Sequence, residues 1–167
     1  MKTKQDIFDS VVRALLKQGR PAFKLHPNSV KAVCMYRSPT GDACGIGTQI
    51  PDEEYHPSMD DQGSVRPLVR YLRTFPDIAA RFKTTFENLG LGFEEGDGSD
   101  VAQMSFLADL QNCHDSAVWD ASHDAAGHPQ EFNLEIWRRV WKEKMNHVLV
   151  VYDLNSAALS EPFATPV

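Results

Sequence analysis

Apolar residues recur at helical spacing in several stretches of the chain. In residues 4–18 they return every three or four positions, the spacing of an amphipathic helix with one buried face. Thr3 suits the N-cap of this helix and Gly19 its C-cap, so we predict that the helix fills this range. A second long helix is predicted over 133–152. Its wide apolar face consists of Trp137, Val140, Trp141, Met145, Val148, Leu149 and Tyr152.

Three other segments also have helical character. Residues 65–72 form a short amphipathic stretch, and 76–88 begins with proline, which is favoured in the first turn of a helix. A longer helix is predicted over 101–118. Asp100 and Gln103 form a capping pair at its start, because a carboxylate and a side-chain amide at this spacing satisfy exposed backbone N–H groups.

The strongest turn signal lies between two short apolar runs, 33–37 and 43–47. Ser38-Pro39-Thr40-Gly41 suits a type I turn, because proline fixes φ near about −65° at the second position and glycine closes the turn. We therefore predict a β-hairpin whose strands are these two runs. Both of its faces are largely apolar, so the hairpin is expected to be buried.

Length and composition fix the general class. The 167 residues, 42% of them hydrophobic, suffice for one sizeable core. The predicted fold is therefore α+β and mostly helical: a single domain over 1–154, with one buried hairpin at about 33–47 packed among four or five helices. Residues 155–167 are predicted to be an extended or disordered tail.

The cellular compartment is predicted from what the sequence does not contain. No stretch approaches 18 consecutive apolar residues, and the N-terminus lacks the apolar core of a secretory signal. We therefore expect a cytoplasmic protein without a membrane partner. The three cysteines are expected to be reduced thiols, and no motif indicates a cofactor.

One run of the sequence resembles a known family. Residues Cys34 to Tyr55 have the form C-x-Y-R-x-P-x-G-x-x-C-x-I-G-x-x-I-P-D-E-E-Y. With a K-Q-D-I-F-D helix before it and an L-Q-x-x-H-D helix after it, this run is similar to a family of small uncharacterised bacteriophage and prophage proteins. The similarity covers residues 1 to about 60 and 104–119, whereas 121–130 looks like an insertion. The resemblance implies a phage or prophage setting, hence the host cytoplasm, and no catalytic residues.

Charge is segregated along the chain, which carries a net charge of −6. Residues 1–37 hold eight Lys or Arg against two acids, whereas 38–68 hold six acids against one Arg, and 91–115 hold six acids and no Lys or Arg. A nucleic-acid-binding domain of this size is usually basic overall, so direct nucleic-acid binding is not favoured. Acidic patches instead predict a host protein with a basic surface as partner.

Two acidic segments are the predicted binding residues. Asp52, Glu53 and Glu54 form a run of acids after the hairpin, which suits a recognition patch or a surface ion-pair cluster. The second segment is the glycine-rich stretch 90–99, predicted to be an exposed acidic loop that orders on contact. Its candidate contacts are Phe93 as an apolar anchor and the acids Glu94, Glu95 and Asp97.

One alternative function is a cysteine- and histidine-dependent hydrolase or transferase. Cys44 would be the nucleophile, His114 the base and Asp115 or Asp109 the residue that orients the base, because a thiol needs a nearby imidazole to form a thiolate at neutral pH. Against this, free cysteines are commonly small buried hydrophobic residues. Cys44 also lies in a predicted strand, with no helix N-terminus to lower its pKa.

A second alternative is a metal-dependent phosphohydrolase. His114, Asp115, His123, Asp124 and His128 offer five potential ligands within fifteen residues. His-Asp followed by Gly-His resembles the HD-type enzymes, which place a His-Asp pair on a helix lining a bundle. Here the second His-Asp pair stands in a polar context, which also suits a solvated loop.

These observations favour an interaction protein over an enzyme. Charge is segregated, whereas no set of residues forms a specific catalytic motif. The predicted function is a non-enzymatic binding or regulatory protein of phage type that engages or inhibits a host macromolecule, such as a defence protein, through acidic surface patches.

Overall fold

The computed structural model describes residues 1–25, 32–74, 81–92 and 98–164. Within these ranges the chain is mostly helical and contains one two-stranded antiparallel sheet, so the predicted α+β class is confirmed. The elements are α1 (Lys4–Gln18), β1 (Phe23–Leu25), β2 (Ala32–Cys34), α2 (Val65–Arg73), α3 (Lys83–Leu89), α4 (Gly98–Ser122) and α5 (Leu134–Tyr152). Short 3₁₀ turns cover Gly47–Gln49, Pro57–Gln62 and Ala157–Ser160.

The ends of α1 agree with the prediction. The Thr3 hydroxyl accepts a hydrogen bond from the backbone N–H of Asp6, and the Asp6 carboxylate accepts one from the backbone N–H of Thr3 in return. Gly19 closes the helix with φ of 73°, a conformation that glycine adopts without strain. The apolar stripe of α1 lies fully inside the core.

The two longest helices, α4 and α5, form an antiparallel pair at the centre of the molecule. At one end the Tyr152 hydroxyl donates to the Asp109 carboxylate at 2.7 Å, and at the other the N–H of Asn133 donates to the carbonyl of Ala121 at 2.9 Å. The predicted apolar face of α5 is buried, apart from the partly buried Tyr152. Its Trp137 and Trp141 rings stack at 5.8 Å.

The sheet differs from the predicted hairpin in its pairing. β2 pairs with β1, in the register Phe23 opposite Cys34, and not with residues 43–47. The predicted turn does form, because the N–H of Ser38 donates to the carbonyl of Asp42 at 2.8 Å, but the ladder beyond it is a single bridge between Arg37 and Ala43.

The predicted second strand fails because its glycines favour a turn. The N–H of Gly47 donates to the Cys44 thiol at 3.3 Å, and that of Thr48 to the Cys44 carbonyl at 2.9 Å. A Cβ on Gly47 would lie 2.0 Å from the carbonyl oxygen of Tyr36, so the close approach requires glycine. Residues 43–47 are buried as predicted, but as a turn and not as a strand.

Two other predicted helices have different bounds. Within the predicted helix 76–88, residues 76–80 lie outside the described residues, and α3 begins only at Lys83. α4 starts at Gly98, so Asp100 lies in its first turn. The Asp100 carboxylate forms an ion pair with Arg73 at 3.0 Å, which joins α4 to α2.

The C-terminal segment packs on the body and is not a free tail up to residue 164. Ala158 and Leu159 are buried. The Phe163 ring lies 5.7 Å from that of Trp137 and 5.6 Å from that of Trp141, and the N–H of Ala164 donates to the carbonyl of Leu16 at 2.8 Å. Across the described parts of the chain, no helix combines the length and the apolar character that crossing a bilayer requires.

Candidate functional site

His114, the predicted base, is fully buried in the middle of α4 and uses both ring nitrogens for hydrogen bonds. Its Nε2 accepts from the backbone N–H of Ala22 at 3.1 Å, and its Nδ1 lies 3.0 Å from a carboxylate oxygen of Asp115. An imidazole that accepts at Nε2 carries its proton on Nδ1, and Nδ1 therefore donates to Asp115. His114 has no lone pair left to take a proton from a thiol.

Cys44, the predicted nucleophile, is sealed in the core. Its thiol is 1% exposed and accepts the hydrogen bond from Gly47. Burial, and secondarily the charge of Asp115, raises the pKa of Cys44 to about 12. A thiol with this pKa is protonated at neutral pH, so Cys44 lacks the properties of a reactive nucleophile.

The structure places Cys34 beside His114 and Asp115, a proximity that the sequence did not predict. Donor atoms of Cys34, His114 and Asp115 lie within 4.8 Å of one another, the one such group among the residues that the structure describes. The cluster fits a cation poorly, because a metal needs a nitrogen lone pair that His114 has committed to Ala22. Burial and the neighbouring Asp115 charge also raise the pKa of the Cys34 thiol, which disfavours the thiolate that a metal requires.

The other predicted metal ligands are separated from this cluster. His123 is nine residues farther along the chain than His114, about 14 Å in a helix. Asp124 organises the loop that follows α4, where its carboxylate accepts from the backbone N–H groups of Ala126 and His128 at 2.9 Å each. These bonds lower the pKa of Asp124. The five predicted ligands are therefore not brought together.

One of the three acids of the predicted patch after residue 50 is used inside the protein. The buried Glu54 carboxylate accepts from the N–H groups of Thr84 and Thr85, at 3.0 and 2.7 Å, and so caps α3 from another part of the chain. Asp52 forms an ion pair with Arg37 at 2.9 Å. Glu53 remains exposed.

The second predicted binding segment lies outside the described residues. It comprises Phe93, Glu94, Glu95 and Asp97. Its role stays a prediction.

A long groove lies between α4 and α5 on the described surface. It has a volume of about 950 Å³ and runs from Asp109 and Tyr152 at one end to His123 and Ile136 at the other. Its floor is partly apolar. Side chains that supply the apolar part are Cys113, Trp119, Ile136, Val140, Val148 and Val151.

Trp119 and His123 form a stacked pair at one end of this groove. Their ring centroids are 3.6 Å apart with an interplanar angle of 14°. His123 is only 7% exposed, and its Nδ1–H donates a hydrogen bond to the carbonyl of Trp119 at 3.0 Å. Trp119 is 51% exposed, although indole is a large apolar surface that proteins usually cover.

Negatively charged side chains outnumber positively charged ones along the groove. Four carboxylates and two basic side chains line it. Both bases already have partners, since Arg139 contacts Glu143 at 3.1 Å and Lys144 contacts Asp120 at 3.8 Å. Asp109 and Asp124 remain without a Lys or Arg partner in the described parts of the chain, and they lie at opposite ends of the groove.

Sequence reasoning missed this site because it combines buried and exposed residues of two helices that only tertiary packing brings together. One signal was present in residues 148–151, V-L-V-V, which are more consecutive apolar residues than one helix face buries. Val150 and Val151 are indeed exposed, and Val151 lines the groove. Comparison of the chain with protein-family models, with curated proteins and with solved structures finds no match.

Proposed function

We propose that this chain is a non-enzymatic binding protein that engages a host protein with a basic surface through the groove between α4 and α5. The observation that carries the proposal is the half-exposed Trp119 ring, stacked on His123 in a groove with a partly apolar floor. The phage or prophage setting, and action in the host cytoplasm, rest on the resemblance of the run from Cys34 to Tyr55.

An exposed tryptophan in a groove is typical of a binding hot spot. Tryptophan is enriched among the residues that dominate binding energy, because it buries a large rigid surface at low entropic cost. The stack on His123 holds the Trp119 ring in one orientation before a partner arrives, which reduces the ordering cost of association.

The charges of the groove favour a basic partner. Asp109 and Asp124 have no Lys or Arg partner among the described residues, so a cationic surface would supply one at each end. These carboxylates take the place of Glu54, which is buried and bonded to the N–H groups of Thr84 and Thr85, among the acids that would face a partner. Complementary charge raises the rate of encounter and makes it sensitive to salt.

An affinity capture with matched variants tests the proposal. The immobilised chain is exposed to host lysate as wild type, as Trp119→Ala and as Val101→Ala. Val101 is 61% exposed on α4 but does not line the groove, so it controls for the loss of an exposed apolar side chain. We expect a basic protein that wild type and Val101→Ala retain and that Trp119→Ala loses.

A further variant separates the groove from the acidic loop. Neutral replacements of Glu94, Glu95 and Asp97 remove the loop charges while leaving Trp119 in place. If the partner is lost by this variant but retained by Trp119→Ala, the loop and not the groove is the binding surface. If both variants retain the partner, the result contradicts binding through either surface.

A further inference from the structure

On the basis of the proposed function, we infer that the segment seated in the groove is an amphipathic α-helix of the partner, with basic side chains near both of its ends. The groove lies between two antiparallel helices, so a third helix would complete a three-helix bundle.

The walls of the groove favour a helix over an extended peptide. Both walls are α-helices, whose central backbone N–H and C=O groups are already bonded within the helix. They offer no strand edge on which an extended peptide could add a ladder of main-chain bonds. A helix satisfies its own backbone, and it needs only an apolar stripe on the partner surface.

Each wall presents one stripe of side chains at helical spacing. On α4 the stripe repeats every three or four residues. It comprises Asp109, Asn112, Cys113, Ser116, Trp119, Asp120 and His123. On α5 the corresponding stripe runs from Ile136 to Tyr152 and includes Val140, Val148 and Val151. Such parallel ridges form a straight channel into which the ridge of a third helix packs.

The length of the channel sets the length of the occupant. From Asp109 to His123 the α4 wall rises about 20 Å, which corresponds to a helix of about 14 residues. Asp109 and Asp124 lie at opposite ends of this span, and neither has a Lys or Arg partner within the described ranges. Basic residues near both ends of the occupant would meet these carboxylates while its apolar stripe covers Trp119.

Three synthetic peptides of about 18 residues test the inference on the full-length chain. The first is amphipathic with lysines near both ends, the second has glutamates in place of those lysines, and the third has the composition of the first in an order that lacks the apolar stripe. Fluorescence anisotropy measures the affinity of each. We expect the lysine peptide to bind at least about tenfold more tightly than either of the others.

Variants then locate the binding. Trp119→Ala is expected to weaken the lysine peptide about tenfold, whereas Val101→Ala leaves its affinity unchanged. Asp109→Asn combined with Asp124→Asn should flatten the salt dependence of binding. Both replacements retain a side-chain oxygen for the internal bonds to Tyr152 and to the backbone at His128, so the fold is preserved.

Several results would overturn the inference. These are equal affinity for the lysine and glutamate peptides, equal affinity for the peptide without a stripe, no binding of any peptide, or indifference to Trp119→Ala. A concentration-dependent dimer in sedimentation that Trp119→Ala converts to monomer would assign the groove to a second copy of this chain, and would also overturn it. If lysate capture still depends on Trp119 while the peptides fail, the proposed function stands and only the helical occupant is rejected.

Discussion

The backbone N–H of Ala22 donates a hydrogen bond to Nε2 of His114 at 3.1 Å, and this bond joins the chain just before β1 to the middle of α4. Both groups are fully buried, so neither has water as an alternative partner. The same bond determines the tautomer of the imidazole and directs the Nδ1 proton to Asp115. His114, which the sequence offered as a catalytic base, is therefore a structural residue.

His114→Ala is predicted to destabilise the protein by about 2–4 kcal/mol, because it leaves a cavity and an unsatisfied buried N–H at Ala22. His114→Gln should cost less, since its side-chain oxygen reaches toward the same N–H. Denaturant unfolding measures both free energies. Equal stability of His114→Ala and wild type would contradict the structural role.

The Cys44 thiol is predicted to react slowly in the native protein. It is buried and its pKa is raised to about 12, so almost no thiolate is present at neutral pH. Thiol-labelling kinetics of a variant that keeps Cys44 as its single cysteine provide the measurement, with the same variant in denaturant as the control. Labelling at the rate of the unfolded chain would restore the hydrolase hypothesis. Cys44→Ala should leave binding intact and cost about 1 kcal/mol of stability.

Glu54 is predicted to make stability depend on pH in the acid range. Burial raises the pKa of its carboxyl, but the hydrogen bonds from Thr85 and Thr84 outweigh burial and lower it overall. A carboxylate with a lowered folded-state pKa stabilises the protein above its ordinary pKa of about 4.3, and this contribution is lost as the pH falls through the lowered value.

Glu54→Gln tests this dependence. We expect it to cost about 1–2 kcal/mol at neutral pH and to flatten the loss of stability below about pH 5, as followed by unfolding at several pH values. Glu53→Gln, at an exposed neighbour, is the matched control. An identical pH profile for Glu54→Gln and wild type would show that the carboxylate does not cap α3 in solution.

Phe163 is predicted to anchor the C-terminal segment. Its ring packs against Trp137 and Trp141, with the Arg138 guanidinium 5.2 Å from its centroid. Phe163→Ala should cost about 1–3 kcal/mol and lower the melting temperature, whereas Glu161→Gln should change it little. An unchanged melting temperature in Phe163→Ala would mean that the segment is not docked in solution.

The sequence predicted the long helices well because their signals are local. The α1 caps Thr3 and Gly19 stand next to the helix, and the apolar repeat of α5 lies within one segment. The predicted strand pairing was wrong because tertiary contacts determine which segment pairs with β2. Gly47 can turn back on the Tyr36 carbonyl, and the bond from Ala22 to His114 ties the chain before β1 to α4.

The residues of the candidate site were harder to predict for a related reason. Periodicity identifies the buried face of a single helix, whereas the groove lies where α4 and α5 meet and combines residues of that face, such as Val140, with exposed residues such as Trp119 and Val151. Trp119 and Asp124 belong to different predicted segments, a helix end and a loop, and neither carries a motif. Glu54, which was expected at a recognition surface, is instead the cap of a helix that begins at Lys83.

Acrylamide quenching of tryptophan fluorescence tests the central claim, binding through the groove, most directly. Trp137 and Trp141 are fully buried, so Trp119 supplies the emission that the quencher reaches. With the captured basic partner at saturation, the account predicts that quenching falls to the level of a Trp119→Phe variant, because the partner covers the exposed indole. Quenching that stays at the level of the free protein while the partner is bound would contradict binding through the groove.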